Sequence, residues 1–332
     1  MIEVRTPGRL HFGLLAYHPQ ARRQFGGVGL MVRRPDVLIR LEPRPVGDDF
    51  EASGRMADRA VEFARHFARR AVDEQLVAHM PGAHLHVRRV PRPHAGLGSG
   101  TQLAMAVARA LAALIELDAT DAAELAHLVD RGRRSAIGAH GSLAGGLIVD
   151  GGKAHQQRLA PLGGRFAFPD SWTVLLVRPS SLHGTSGTRE VEAFADLPPI
   201  EPGMTDRMCR IVLLDLLPSL VDRNLESFGE ALFELQQLAG ECFKAAQGGV
   251  YADPLLAEIV GHIRKEGVHG VGQSSWGPTL YAVCDDLERA DHLAANLQRR
   301  FELTAAEIMT TRADNEGGTL RHISPRVKTG GG

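Results

Sequence analysis

Glycine at positions 96, 98 and 100 punctuates the run Val90-Pro91-Arg92-Pro93-His94-Ala95-Gly96-Leu97-Gly98-Ser99-Gly100-Thr101-Gln102, between an apolar strand pattern and an amphipathic helix pattern. Glycines there let backbone N–H groups turn toward one centre, and the helix start adds unsatisfied donors and the positive end of a dipole. The chemistry on offer is the cradling of an anion, a phosphate above all. Ser99 and Thr101 stand where they can cap the helix or donate to a phosphate oxygen. The spacing is neither that of a Walker A loop, which ends Gly-Lys-Ser/Thr, nor that of the Rossmann fingerprint. A second glycine and serine cluster, Gly272-Gln273-Ser274-Ser275, precedes a strand far along the chain and can line a facing wall.

Single polar residues near these loops each carry two readings. Arg9 and His11 alternate on one strand and share a face, serving a site or forming an ion pair and a surface histidine. His94 contacts substrate or is merely exposed. Trp276, one of two tryptophans, stacks on an aromatic ligand or fills the core between domains. Asp150, before Gly151-Gly152, is the carboxylate best placed for Mg²⁺, or else a turn-forming Asp-Gly. Asp285-Asp286 leads into Leu287-Glu288-Arg289 and reads as a helix start.

The elements that must hold these residues follow from periodicity. Strand patterns cover Ile2–Arg5, Arg9–Leu15, Val37–Leu41, Ala83–Val90, Gly146–Asp150, Thr173–Val177, Thr279–Cys284 and Thr319–Ile323. Helical spacing covers Met56–Val77, Gln102–Leu117, Asp121–Arg131, Thr205–Leu217, Leu220–Ala246, Pro254–Glu266 and Leu287–Phe301. Ser180–Thr188 reads as a loop and Thr329–Gly332 as a frayed tail. Strands first and mixed elements later favour α+β with a boundary near residues 160–172.

The 332 residues are 44% hydrophobic and 23% charged, with a formal net charge of −1, so no basic footprint for nucleic acid or anionic membrane exists. Met1–Arg5 reads as a strand rather than a signal peptide, and no apolar run reaches membrane-span length. Cys209, Cys242 and Cys284 are too few and too scattered for a disulfide framework or metal site. A reduced cytoplasmic setting is expected. Only Lys153, Lys244, Lys265 and Lys328 are lysine, so a bound phosphate must rely on arginine forks, N–H groups and hydroxyls.

At Pro91 or Pro93 and Gly96–Thr101 the sequence resembles the GHMP kinase superfamily, as it does at Thr6–Gly13 and Gly270–Thr279, in the superfamily's order. Two departures separate it from the kinases. Gly100 replaces a serine that helps hold Mg²⁺, and Gly132–Ser142 lacks the aspartate base that many of them carry. The motifs Gly96–Gln102, Arg133-Arg134-Ser135-Ala136-Ile137-Gly138 with Gly145–Gly152, and Gly272–Thr279 are similar to those of the β-ribofuranosylaminobenzene 5′-phosphate synthase branch. That resemblance implies a two-domain α+β fold (1–165 and 166–332) with its active site in the interdomain cleft. It also implies a homodimer and a decarboxylating condensation of 4-aminobenzoate with phosphoribosyl pyrophosphate, aided by magnesium, in methanopterin biosynthesis.

The donor carries two anionic clusters. Gly96, Leu97, Gly98, Ser99, Gly100 and Thr101 can hold one of them, and Gly272, Gln273, Ser274 and Ser275 can line the other wall. Arg9, Arg133 and Arg134 are the phosphate forks inside matching motifs. Arg9, His11, His94 and Gln102 are the catalytic candidates, Trp276 the acceptor contact and Asp150 the metal ligand. Departure of pyrophosphate leaves a cation-like ribose centre that the aromatic carbon attacks, so no protein nucleophile is needed.

Overall fold

Alternating burial from Ile2 onward builds a strand, β1 (Ile2–Ala16), longer than the pattern suggests. The two segments expected within it are one strand, re-phased by bulges between Thr6 and Gly8 and between His11 and Gly13. Its partner β2 (Phe25–Val46) is also much longer than the expected Val37–Leu41. Length lets β2 serve two partners on one side: β4 (Pro81–Arg89) along its second half and β5 (Leu147–Asp150) along its first. The computed structural model describes residues 1–18, 20–118, 120–182 and 197–324. Most of the Ser180–Thr188 loop and the whole tail fall outside these described residues.

The first sheet runs β11-β1-β2-β4-β3, extended by β5 and β6, with β3 at Glu51–Gly54, β6 at Leu162–Phe166 and β11 at Thr319–His322. The last strand thus returns to pair with the first, Ile2 against His322. The second sheet runs β10-β7-β9-β8 and is wholly antiparallel. Its strands are β7 (Thr173–Val177), β8 (Gly270–Gln273), β9 (Leu280–Cys284) and β10 (Ile308–Arg312).

Helices α1 (Ala57–Asp73), α2 (Ser99–Leu114) and α4 (Ile137–Ala144) back the first sheet, and α3 (Ala122–Leu128) packs on all three. Alanine fills much of α2 because the helix is buried nearly all round. α4 was not expected, since Gly138, Gly141 and the flanking glycines obscure its periodicity. A Cβ at Gly141 would strike the Met31 side chain, so close packing, not turning, demands glycine there.

In the second half, α5 (Pro202–Arg210) runs into a π-helical turn at Ile211–Leu216 and then α6 (Leu217–Val221). The expected helix Leu220–Ala246 is broken at residues 222–224. Asn224 caps the new start of α7 (Leu225–Gln247) by accepting from Ser227 N at 3.0 Å. α8 (Pro254–Lys265) and α9 (Leu287–Phe301) complete the layer. α7 packs on both β1 and β8, and Phe12 meets Tyr281 at 4.9 Å. One apolar core therefore joins the two sheets, with Leu10, Val28, Val174, Phe228 and Tyr281 all inside it. Among the described residues no helix is long and apolar enough to cross a membrane.

Candidate active site

The two glycine clusters meet across the joint between the sheets. Gly98, with φ +69°, starts α2 without any side-chain cap, so the expected Ser99 or Thr101 cap does not form. First-turn N–H groups are thereby left for a ligand. Arg9 runs beside the loop, its N–H donating to Leu97 O at 3.1 Å. A Cβ on Gly98 would lie 2.9 Å from Arg9 Nε. Ser99 is buried, and Thr101 packs at the start of α4, where a Cβ on Gly138 would sit 3.0 Å from Thr101 Cγ2. Gly100 faces more open space, its nearest neighbour being Arg131 Nη2. His94 stands exposed in the left-handed region, φ +56°, with no hydrogen bond to another described residue.

The second cluster is hydrogen-bonded to this loop and positions it. Ser274 is fully buried; its hydroxyl donates to Gly96 O at 2.7 Å and accepts from His11 N at 3.0 Å. Gln273 N donates to Gln236 Oε1 at 2.7 Å, and its side chain ties Ala252 N and Ser275 O. Gly272 is glycine because a Cβ would collide with Gln236 and Tyr281 Oη. The hydrogen bonds of Gln273 and Ser274 thus hold two segments of the chain together. Ser275 alone is exposed, with its N–H on His11 O at 3.1 Å. Trp276 is half-buried and meets Phe243 edge-on at 5.0 Å, beside Leu14, Leu197, Tyr17 and Phe25.

A contact missed by the sequence reading joins β1 to the segment before α4. His11 Nε2 is 3.2 Å from Ser135 Oγ, and Asp150 holds the N–H of the next residue, Ala136. Ser135 lies in the segment where the kinases' aspartate was sought, and the sheet brings Asp150 to it. Asp150 does not fit the part of a magnesium ligand. Its Oδ2 accepts from Ala136 N at 2.6 Å and its Oδ1 from Gly152 N at 2.9 Å, and its carboxylate is buried. Burial raises its pKa against the pull of those donors. Among the described residues no cluster of His, Cys, Asp and Glu is arranged to hold a metal. Gln102 is buried, with Nε2 on Gly138 O at 2.8 Å and Oε1 left without a partner. Arg133 is exposed and paired with Asp130 rather than turned to the glycine loop, while Arg134 is half-buried.

Burial, with Arg9 adding to it, holds the His11 imidazole well below its ordinary pKa, so it is neutral at pH 7. The unfolded chain binds a proton there below about pH 6.5 and the folded chain refuses it. Stability contributed by neutral His11 is thus present above pH 6.5 and lost as pH falls toward the folded pKa. Denaturant unfolding between pH 5 and 8 should show a shallower slope in His11→Gln than in wild type, by at most about 1.4 kcal/mol per pH unit. Parallel curves would mean that His11 titrates normally.

Comparison with known proteins adds the following. The profile of the GHMP kinases N terminal domain matches residues 58–146, and that of GHMP kinases C terminal matches residues 216–303. The chain is 32% identical to the β-ribofuranosylphenol 5′-phosphate synthase of Methanothermobacter thermautotrophicus, covering 85% of this chain and 88% of that one. It is 31% identical to the protein of the same name from Archaeoglobus fulgidus, covering 96% and 98%. Solved structures agree in fold at low identity. Mevalonate diphosphate decarboxylase from Staphylococcus aureus gives TM-score 0.70 at 12% identity, over 97% of this chain and 99% of that one. Homoserine kinase from Cytophaga hutchinsonii gives 0.63 at 16%, over 96% and 97%.

Proposed function

The chain belongs to the β-ribofuranosylphenol 5′-phosphate synthase family, built on the GHMP kinase fold, and from that premise we propose that it joins phosphoribosyl pyrophosphate to a para-substituted benzoate. The near full-length match to the synthases carries this reading, because the fold alone also serves kinases and a decarboxylase. The anomeric C–O bond breaks and its electrons leave with pyrophosphate. The ring carbon bearing the carboxylate bonds to the ribose carbon, and the C–carboxylate bond then breaks to restore the ring and release CO₂. Atoms and charge balance without a protein nucleophile or a net proton.

The residues of the site suit those demands. Uncapped N–H groups at the start of α2 and the Arg9 guanidinium suit a phosphate of the donor. Ser274 and Ser275 fix the strand of Arg9 and His11 against that loop, holding donor and acceptor groups in one geometry. Magnesium would arrive with the donor's phosphates, Asp150 being occupied. The relatives are named for a phenol. A para hydroxyl and a para amino group both push electrons to the attacking carbon, so 4-hydroxybenzoate belongs beside 4-aminobenzoate as acceptor.

The experiment is to incubate the protein with Mg²⁺, phosphoribosyl pyrophosphate and each benzoate, following CO₂ and pyrophosphate in equal amounts. Absence of both products with both benzoates, together with ATP turnover on an alcohol, would replace this reading with the kinase one that the fold permits.

A further inference from the structure

Between the ends of α1 and α3 and the 153–158 segment lies a cavity of about 470 Å³ lined by Arg70, His127, Asp130, Arg131, Arg133, Lys153 and Arg158. Five cationic side chains thus face a single lining carboxylate, in a protein whose net charge is −1. Asp130 is taken by Arg133, and Arg70 Nη1 rests on His127 Nδ1 at 2.8 Å. Among the described residues neither Arg131, Lys153 nor Arg158 has a carboxylate within salt-bridge distance. Arg131 is the informative member. Its Nε is buried without a hydrogen-bond partner, and its guanidinium lies 4.6 Å from the Phe63 ring centre. Burial and the nearby Arg59 push its pKa down to about 10, so its charge is under-compensated.

The same guanidinium reaches the phosphate loop, since a Cβ on Gly100 would lie 3.9 Å from Arg131 Nη2. Arg131 therefore lines the cavity and also lies beside the start of α2, with cations from α1, the end of α3 and the 153–158 segment around it. A single phosphate needs two or three donors; this array suits a group with two phosphorus centres. The geometry points to this cavity as the seat of a pyrophosphoryl group, the leaving end of the donor, with Arg131 standing between it and the start of α2. The identity of the donor rests on the proposed reaction; the anion chemistry of the cavity does not.

Calorimetry with inorganic pyrophosphate and, separately, ribose 5-phosphate tests it. Lys153 and Arg158 lie away from the loop and are not buried, so Lys153→Met/Arg158→Met keeps the fold, checked by melting temperature. Pyrophosphate should bind this variant about tenfold more weakly, and ribose 5-phosphate within twofold of wild type. Arg131→Met should weaken pyrophosphate at least as much. Pyrophosphate affinity unchanged in the double variant, or both ligands weakened equally, would overturn the assignment. Displacement of pyrophosphate from wild type by ADP but not by phosphoribosyl pyrophosphate would overturn the donor as its source. If no synthase product forms yet the pyrophosphate loss persists, the cavity stands and only the reaction is wrong.

Discussion

Replacement of Gly98 by valine is expected to abolish binding of phosphoribosyl pyrophosphate while leaving the protein folded. Gly98 has φ +69°, a region that a β-branched residue enters only at a cost of about 1–3 kcal/mol. Its new Cβ would press on Arg9, 2.9 Å from Nε. Moving Arg9 aside relieves the contact but displaces the fork proposed for the phosphate, and tilting the loop instead spoils the N–H cradle. Either escape damages donor binding, so a loss of about a hundredfold or more is expected, near 2.7 kcal/mol. The cost falls on one turn at the start of α2, whose buried alanine and leucine face is untouched. Calorimetric titration of the donor, with circular dichroism as the control for folding, decides it. Wild-type affinity in a folded Gly98→Val protein would remove the loop from the donor site.

That prediction rests on a feature legible in the sequence, because a glycine run between a strand period and a helix period has few other uses. The superfamily resemblance was legible for the same reason, carried by three separated motifs in order. Other parts were hidden by the way packing uses the same residue types. Gly272 looks like a phosphate glycine but is required by Gln236 and Tyr281. Ser274 looks like a phosphate hydroxyl but is spent on Gly96 O and His11 N. The neighbourhood of His11, Ser135 and Asp150 could not be read at all. Its members are far apart in sequence, and only the pairing of β1 and β5 with β2 brings them together. Asp150 offers a turn residue or a metal ligand in the sequence; the N–H groups of Ala136 and Gly152 that it accepts show its part in the turn. The length of β2 was hidden because a strand with different partners along its two halves shows no single alternation.

Trp276→Ala is expected to weaken binding of the benzoate acceptor about tenfold while leaving donor affinity within twofold. Ser275 N on His11 O and Gly277 N on Ser274 O fasten the residues on either side of Trp276 to the candidate active centre. The indole itself is half-buried, edge-on to Phe243 and close to Leu14, Leu197, Tyr17 and Phe25. An aromatic set that is fastened to the site but not fully covered suits a flat ring, and a stacked contact is worth about 0.5–1.5 kcal/mol beyond the area it buries. Removing the indole also removes packing, so a lower melting temperature is expected alongside. Phe243→Ala separates the two effects: it strips the same edge-on contact without removing the face proposed to meet the ligand. Comparable melting temperatures with acceptor binding lost only in Trp276→Ala would assign the indole to the acceptor. Equal loss of donor and acceptor affinity in Trp276→Ala, or equal acceptor loss in both variants, would make the tryptophan a core residue that acts on the site only through packing.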